Sequence, residues 1–113
     1  MDLVELTATL RTFAEERDWE RFHTPKNLAV SVAIEAAELL ELVQWRSDDE
    51  LATFLQTDEG RADLSDELAD VFIYLVRLAD VAGINLRQAA DAKIERNHRR
   101  FPLVGSESTP QPT

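Results

Sequence analysis

The chain has 113 residues, room for one domain's worth of core, and with 44% hydrophobic and 30% charged residues it can build that core and is not globally disordered. A net charge of −10 argues against a nucleic-acid partner, which needs a basic surface. The absence of cysteine excludes disulfides, thiol nucleophiles and cysteine-based zinc sites.

In chain order, Leu3 to about Arg17 carries Leu3, Leu6, Leu10, Phe13 and Ala14 on one helical stripe. Asp18 to Pro25 breaks the period and sets Trp19 and Phe22 beside His23. Thr24 followed by Pro25 is a helix start, threonine as N-cap and proline at the first helical position. A long helix then runs to about Trp45 on Leu28, Val32, Leu39, Leu42 and Val43. A short one follows over Asp48 to Leu55, capped by Ser47 or Asp48. Gln56 to Arg61 contains Gly60 and reads as a loop.

A third long helix spans about Ala62 to Ala82 and stops at Gly83. Asn85 caps a last helix to about Arg99, and Phe101-Pro102 ends it. Three of the four prolines stand at 102, 110 and 112, so the body is poor in turn residues. The expected fold is all-α, an antiparallel bundle of four to five helices over residues 1–102, with a tail of flexible composition at 103–113. No apolar run approaches the roughly 20 residues that span a bilayer, and the N-terminus lacks a basic leader region. A cytoplasmic protein with no membrane partner is expected.

Two acidic pairs carry the chemistry. Glu35 and Glu38 are three residues apart on one long helix, and Glu67 and Asp70 repeat that spacing on the other. Such residues share one helix face. Taken singly, each pair reads as a solvated surface. Both, however, sit in apolar stretches, and antiparallel packing of the two helices brings four carboxylates together. At about 5 Å and an effective dielectric near 20, each like-charged contact costs roughly 3 kcal/mol. A cation resolves that conflict, and oxygen ligands select Mg²⁺, Mn²⁺ or Ca²⁺. The facing-helix motifs lack the histidines of a di-iron bundle, which favours Mg²⁺ held jointly by carboxylates and substrate phosphates.

Lys93, Asn97 and Arg100 fall on one stripe of the last helix, either a phosphate-binding row or a basic C-terminal turn favoured by the helix dipole. Trp19, Phe22, His23 and Trp45, all near helix ends, can make a flat-sided pocket for a base. Two long apolar helices on so short a chain predict a homo-oligomer.

These segments together resemble the all-α, MazG-like nucleoside-triphosphate pyrophosphohydrolases, whose signature is Glu-x-x-Glu on one helix and Glu-x-x-Asp on a later one. Arg17 to His23 with Asn27-Leu28, Glu41 to Trp45, Asp66 to Leu75 and Lys93 to Pro102 are similar to the dCTP pyrophosphatase branch. The likeness covers roughly residues 3 to 102. It implies cleavage between the α- and β-phosphates of a nucleoside triphosphate, dCTP or a modified dCTP, to the monophosphate and pyrophosphate.

The same resemblance implies Mg²⁺ (or Mn²⁺) ligands at Glu35, Glu38, Glu67 and Asp70. On the chemistry of phosphoryl attack, Glu38 is the first candidate for a ligand that also orients the water. The resemblance places Trp19, His23, Asn27 and Trp45 near base and sugar, and Tyr74, Lys93, Asn97 and Arg100 near sugar or phosphates. It also implies assembly as a dimer or a dimer of dimers. Ile34 departs from the pattern, since many relatives have an acid there; the dCTP-type branch tolerates the change. Related enzymes acting on dUTP, phosphoribosyl-ATP or a broad set of triphosphates are the first alternative. A non-catalytic, antitoxin-like interaction module is the second.

Overall fold

The computed structural model describes residues 1–104. Five α-helices and one 3₁₀ turn make up its regular structure: α1 (Leu3–Glu16), the turn Glu20–Phe22, α2 (Pro25–Val43), α3 (Asp48–Phe54), α4 (Asp58–Val81) and α5 (Leu86–Arg100). The all-α expectation is met. The part of the tail from 105 to 113 lies outside the described residues.

The helix starts follow the capping chemistry of the chain. Thr24 accepts from the backbone N–H of Asn27 ahead of Pro25, and Ser47 closes a reciprocal box with Glu50. Asn85 caps α5, and Gly83 ends the preceding turn at φ 71°, where a side chain would be strained.

One expectation fails. Gln56 to Arg61 is not a loop, because Thr57 caps α4 by accepting from the Gly60 N–H, and the helix already begins at Asp58. Gly60 is a close-approach residue inside the first turn. A Cβ there would stand 2.0 Å from the Phe54 carbonyl oxygen, so only glycine lets α3 abut α4.

Among the described residues the fold divides into two compact units, residues 1–83 and a second that begins at Ile84. In the first, α4 is the organising element and packs against α1, α2 and α3, most extensively against α2. The pair α2/α4 is antiparallel. His23, just before α2, touches Arg77 near the end of α4, while Leu42 and Arg46, at the far end of α2, share a groove with Asp63 and Asp66 near the start of α4. The buried apolar side chains are few: Ala14, Leu28, Val76 and Ala79. The second unit contains α5 and is built on that helix alone among the described residues.

Candidate metal centre

On α2, Asn27, Ser31, Glu35 and Glu38 fall on one narrow stripe; on α4, Glu67, Asp70, Tyr74 and Arg77 form another. Packing the two helices brings Glu35, Glu38 and Glu67 together, with one carboxylate oxygen of each within 4.8 Å of the others. Glu38 is exposed, whereas Glu35 and Glu67 are half-buried. The Oε2 atoms of Glu35 and Glu67 are closed off from solvent and meet no hydrogen-bond donor.

A carboxylate oxygen in that state is costly, because it has lost water and gained nothing in return. Burial first, then the adjacent Glu38, then the charges of Asp70 and Glu67, push Glu35 up from 4.5 to about 7. Glu67 is raised for similar reasons, burial leading and the charges of Glu38 and Asp70 following. Asp70 is half-buried and lies outside the group of three, near enough for its charge to act on both. Two orphaned, desolvated oxygens facing a third carboxylate form a donor set that fits a hard divalent cation.

Beside the cluster, toward the C-terminal end of α2, lies an open groove of about 420 Å³. Its walls include Glu38, Glu41, Asp63, Asp66 and Glu67, against a single cation, Arg46. Glu41 therefore borders the same acidic space as Glu38. A groove so charged attracts cations and repels a bare polyphosphate.

The other expected residues are distributed as follows. Trp19 is half-exposed, with Phe13 edge-on at 5.6 Å and the His23 ring at 6.3 Å. Asn27 donates from its side chain to the Phe22 carbonyl at 3.0 Å, which ties the aromatic segment to the first turn of α2. Tyr74 is half-buried on the α4 stripe. Trp45 is 85% exposed on the turn after α2. The 19 residues of α2 separate it from Trp19 by about 28 Å, so within one chain the four aromatic and histidine residues do not close a single pocket. Lys93, Asn97 and Arg100 share a stripe of α5, in the second unit.

A network absent from the sequence reading lies next to His23. Arg77 Nε donates to His23 Nδ1 at 3.0 Å, and its Nη1 donates to Asp80 at 3.0 Å. Asp80 also accepts from Arg11 at 2.6 and 3.1 Å, which joins α1 to α4. The signal for it was a lone Arg-x-x-Asp inside the apolar run of α4, where a charged residue must be paired to be tolerated.

Known proteins resemble the chain in sequence and in fold. The model of the MazG-like family matches residues 30–111. The dCTP pyrophosphatase 1 of Homo sapiens is 46% identical over 90 residues, 80% of this chain and 53% of its own length. That of Mus musculus is 46% identical over 91 residues, 80% of this chain and 54% of its own. The chain thus spans about half the length of the curated relatives it matches. A crystal structure of a pyrophosphatase from Archaeoglobus fulgidus DSM 4304 superposes with a TM-score of 0.80 at 50% identity, over 88% of this chain and 91% of that one. With the acidic pairs, the helical order and these matches in agreement, the chain belongs to the MazG-like family, near its dCTP pyrophosphatase branch.

Proposed function

We propose that the chain is a metal-dependent nucleoside-triphosphate pyrophosphohydrolase that cleaves dCTP, or a modified dCTP, between the α- and β-phosphates. The observation that carries this reading is the convergence of Glu35, Glu38 and Glu67 with two carboxylate oxygens left without partners. The dCTP pyrophosphatases among the relatives supply the substrate class.

Glu35, Glu38, Glu67 and Asp70 would hold Mg²⁺ or Mn²⁺. When bound, the cation supplies charge neutralisation for phosphate oxygens and makes water more acidic. Glu38, exposed at the edge of the groove, takes the proton of the attacking water. The water oxygen forms a bond to the α-phosphorus, the bond from that phosphorus to the bridging oxygen breaks, and pyrophosphate leaves with the electron pair. Trp19, His23 and Asn27 serve the base and sugar, and Trp45 would reach that base only from a second copy; Tyr74 serves the sugar and phosphates, and the likeness to the family assigns the same task to Lys93, Asn97 and Arg100.

Along α4, Arg77 stands two turns beyond Asp70, so the His23 segment lies about 10 Å from the acids. That is the scale of the distance between a nucleotide's base and its phosphates. The chain works as a homo-oligomer, a dimer or a dimer of dimers, in the cytoplasm. Val30, Ile34 and Leu40 on α2 and Leu68 and Phe72 on α4 are 45–54% exposed, an apolar surface that a second copy would cover. Among the described residues no helix is long and apolar enough to cross a membrane.

The deciding experiment is a panel of canonical and 5-modified deoxynucleoside triphosphates, with pyrophosphate and orthophosphate scored separately. Pyrophosphate release from dCTP or a 5-modified dCTP, dependent on Mg²⁺ or Mn²⁺, is expected. Orthophosphate as the first product contradicts α–β cleavage. No turnover of any triphosphate, together with no stabilisation by Mg²⁺, leaves a non-catalytic helical module.

A further inference from the structure

Arg77 is the one charged side chain buried among the described residues, 6% exposed, in a helix turn flanked by Val76 and Leu78. A guanidinium is a pure donor. The imidazole nitrogen 3.0 Å from its Nε must therefore offer a bare lone pair, and that atom is Nδ1 of His23. The single ring proton of a neutral imidazole then sits on Nε2. An imidazolium would set N–H against N–H and place a second positive charge beside Arg77.

The charges that face this pair come from two helices. Asp80 on α4 neutralises Arg77, and Arg11 on α1 anchors Asp80 from the other side. Burial first, and Arg77 second, also hold the His23 pKa below its ordinary 6.5. The half-exposed Trp19 ring lies 6.3 Å from the imidazole.

We propose that Arg77 is a positioning residue that locks His23 in its neutral, Nε2–H form, so that the subsite beside Trp19 presents a hydrogen-bond donor and not a cation, suited to a carbonyl oxygen of a pyrimidine base. The choice of a base carbonyl rests on the functional reading above. The locked tautomer rests on the Arg77–His23 geometry alone.

Two-bond ¹H–¹⁵N correlation spectra of the imidazoles test the tautomer directly. The chain has two histidines, and His98→Gln assigns the His23 signals by elimination. In the unsubstituted protein the spectrum should show Nδ1 unprotonated and Nε2 protonated throughout the neutral range. A proton on Nδ1 overturns the proposal without recourse to any variant. Arg77→Met keeps the apolar stem and removes the donor, while Asp80 keeps Arg11. In it, His23 should relax to a mixture of tautomers and titrate closer to an ordinary histidine; an unchanged ring state with helicity intact overturns the role of Arg77.

In turnover, Arg77→Met should raise KM for the pyrimidine triphosphate about tenfold, the value of one neutral hydrogen bond, with kcat nearly unchanged. A shifted tautomer with unchanged KM removes the base carbonyl as the partner. If the unsubstituted protein turns over no triphosphate, the functional reading fails while the nitrogen spectra still decide the tautomer.

Discussion

Glu35 on α2 and Glu67 on α4 each present one carboxylate oxygen, Oε2, to a space closed to solvent, with no donor to meet either. Two elements that pack this closely would not set like charges together without a counter-ion in view, since each contact opposes the packing. Mg²⁺ or Mn²⁺ should therefore stabilise the protein. At a free-ion concentration about 100 times Kd the gain is about 2.7 kcal/mol, and for a chain of this size Tm rises by roughly ten degrees or more. Thermal melts with and without the ion measure it, and Glu35→Gln and Glu67→Gln should each abolish most of the shift.

The ion's effect should depend on pH, with a sign set by Glu35. Its pKa in the metal-free fold is raised from 4.5 to about 7, so its stabilising contribution is fully present below 4.5 and lost as pH climbs through about 7. A cation needs the carboxylate ionised, so the rise in Tm on adding Mg²⁺ should grow between about pH 6 and about pH 8. His23 and Asp80 are both displaced downward, but neither belongs to the cluster, and they cancel when melts with and without the ion are subtracted at each pH. A Mg²⁺ shift of equal size across that window would remove Glu35 from the site.

Glu38 differs from its two neighbours in being exposed at the rim of the groove. If it accepts the water's proton, Glu38→Gln should lower kcat by about 10²–10⁴ while far-ultraviolet circular dichroism stays unchanged. Residual turnover at the original rate would take Glu38 out of the chemistry and leave the water to another acid.

Periodicity and caps made most of the fold legible: Thr24-Pro25, Ser47 and Asn85 start helices where their side-chain chemistry says they must. The convergence of Glu35, Glu38 and Glu67 was legible too, because i, i+3 spacing on two apolar helices leaves few places for the charges to go, although Asp70, expected with them, stands outside the group of three. What stayed hidden depended on contacts between elements. Gly60 reads as a breaker until the Phe54 carbonyl is seen against it. Trp19 and Trp45 read as one pocket until the length of α2 is set between them. Arg77 looks like an intruder in an apolar run; its partners are His23, from the segment before α2, and Asp80, which Arg11 of α1 holds from the other side.

The close approach at Gly60 has a measurable consequence. In Gly60→Ala the new Cβ would lie 2.0 Å from the Phe54 oxygen and 2.7 Å from its carbonyl carbon, both backbone atoms that cannot swing aside. The start of α4 must shift relative to α3, and the cost is about 1–3 kcal/mol, the range for overpacking. Alanine's better helix propensity, about 1 kcal/mol, does not offset the upper part of that range. Urea unfolding midpoints should fall; an unchanged midpoint would mean the α3–α4 junction is loose.

Asp80 sits between two arginines that differ in burial, and that difference separates their energetics. The Arg11 side chain is 53% exposed, whereas that of Arg77 is 7% exposed. Removing the exposed partner with Arg11→Ala breaks a water-screened pair and should cost little stability. Asp80→Asn instead leaves the Arg77 guanidinium buried without a counter-charge, a loss of about 3–5 kcal/mol for a buried pair broken on one side. Denaturant unfolding of the two variants should rank them in that order by a wide margin. Equal, small effects would show that Arg77 draws its compensation from water, and the tight seam between α1, α4 and the His23 segment would have to be abandoned.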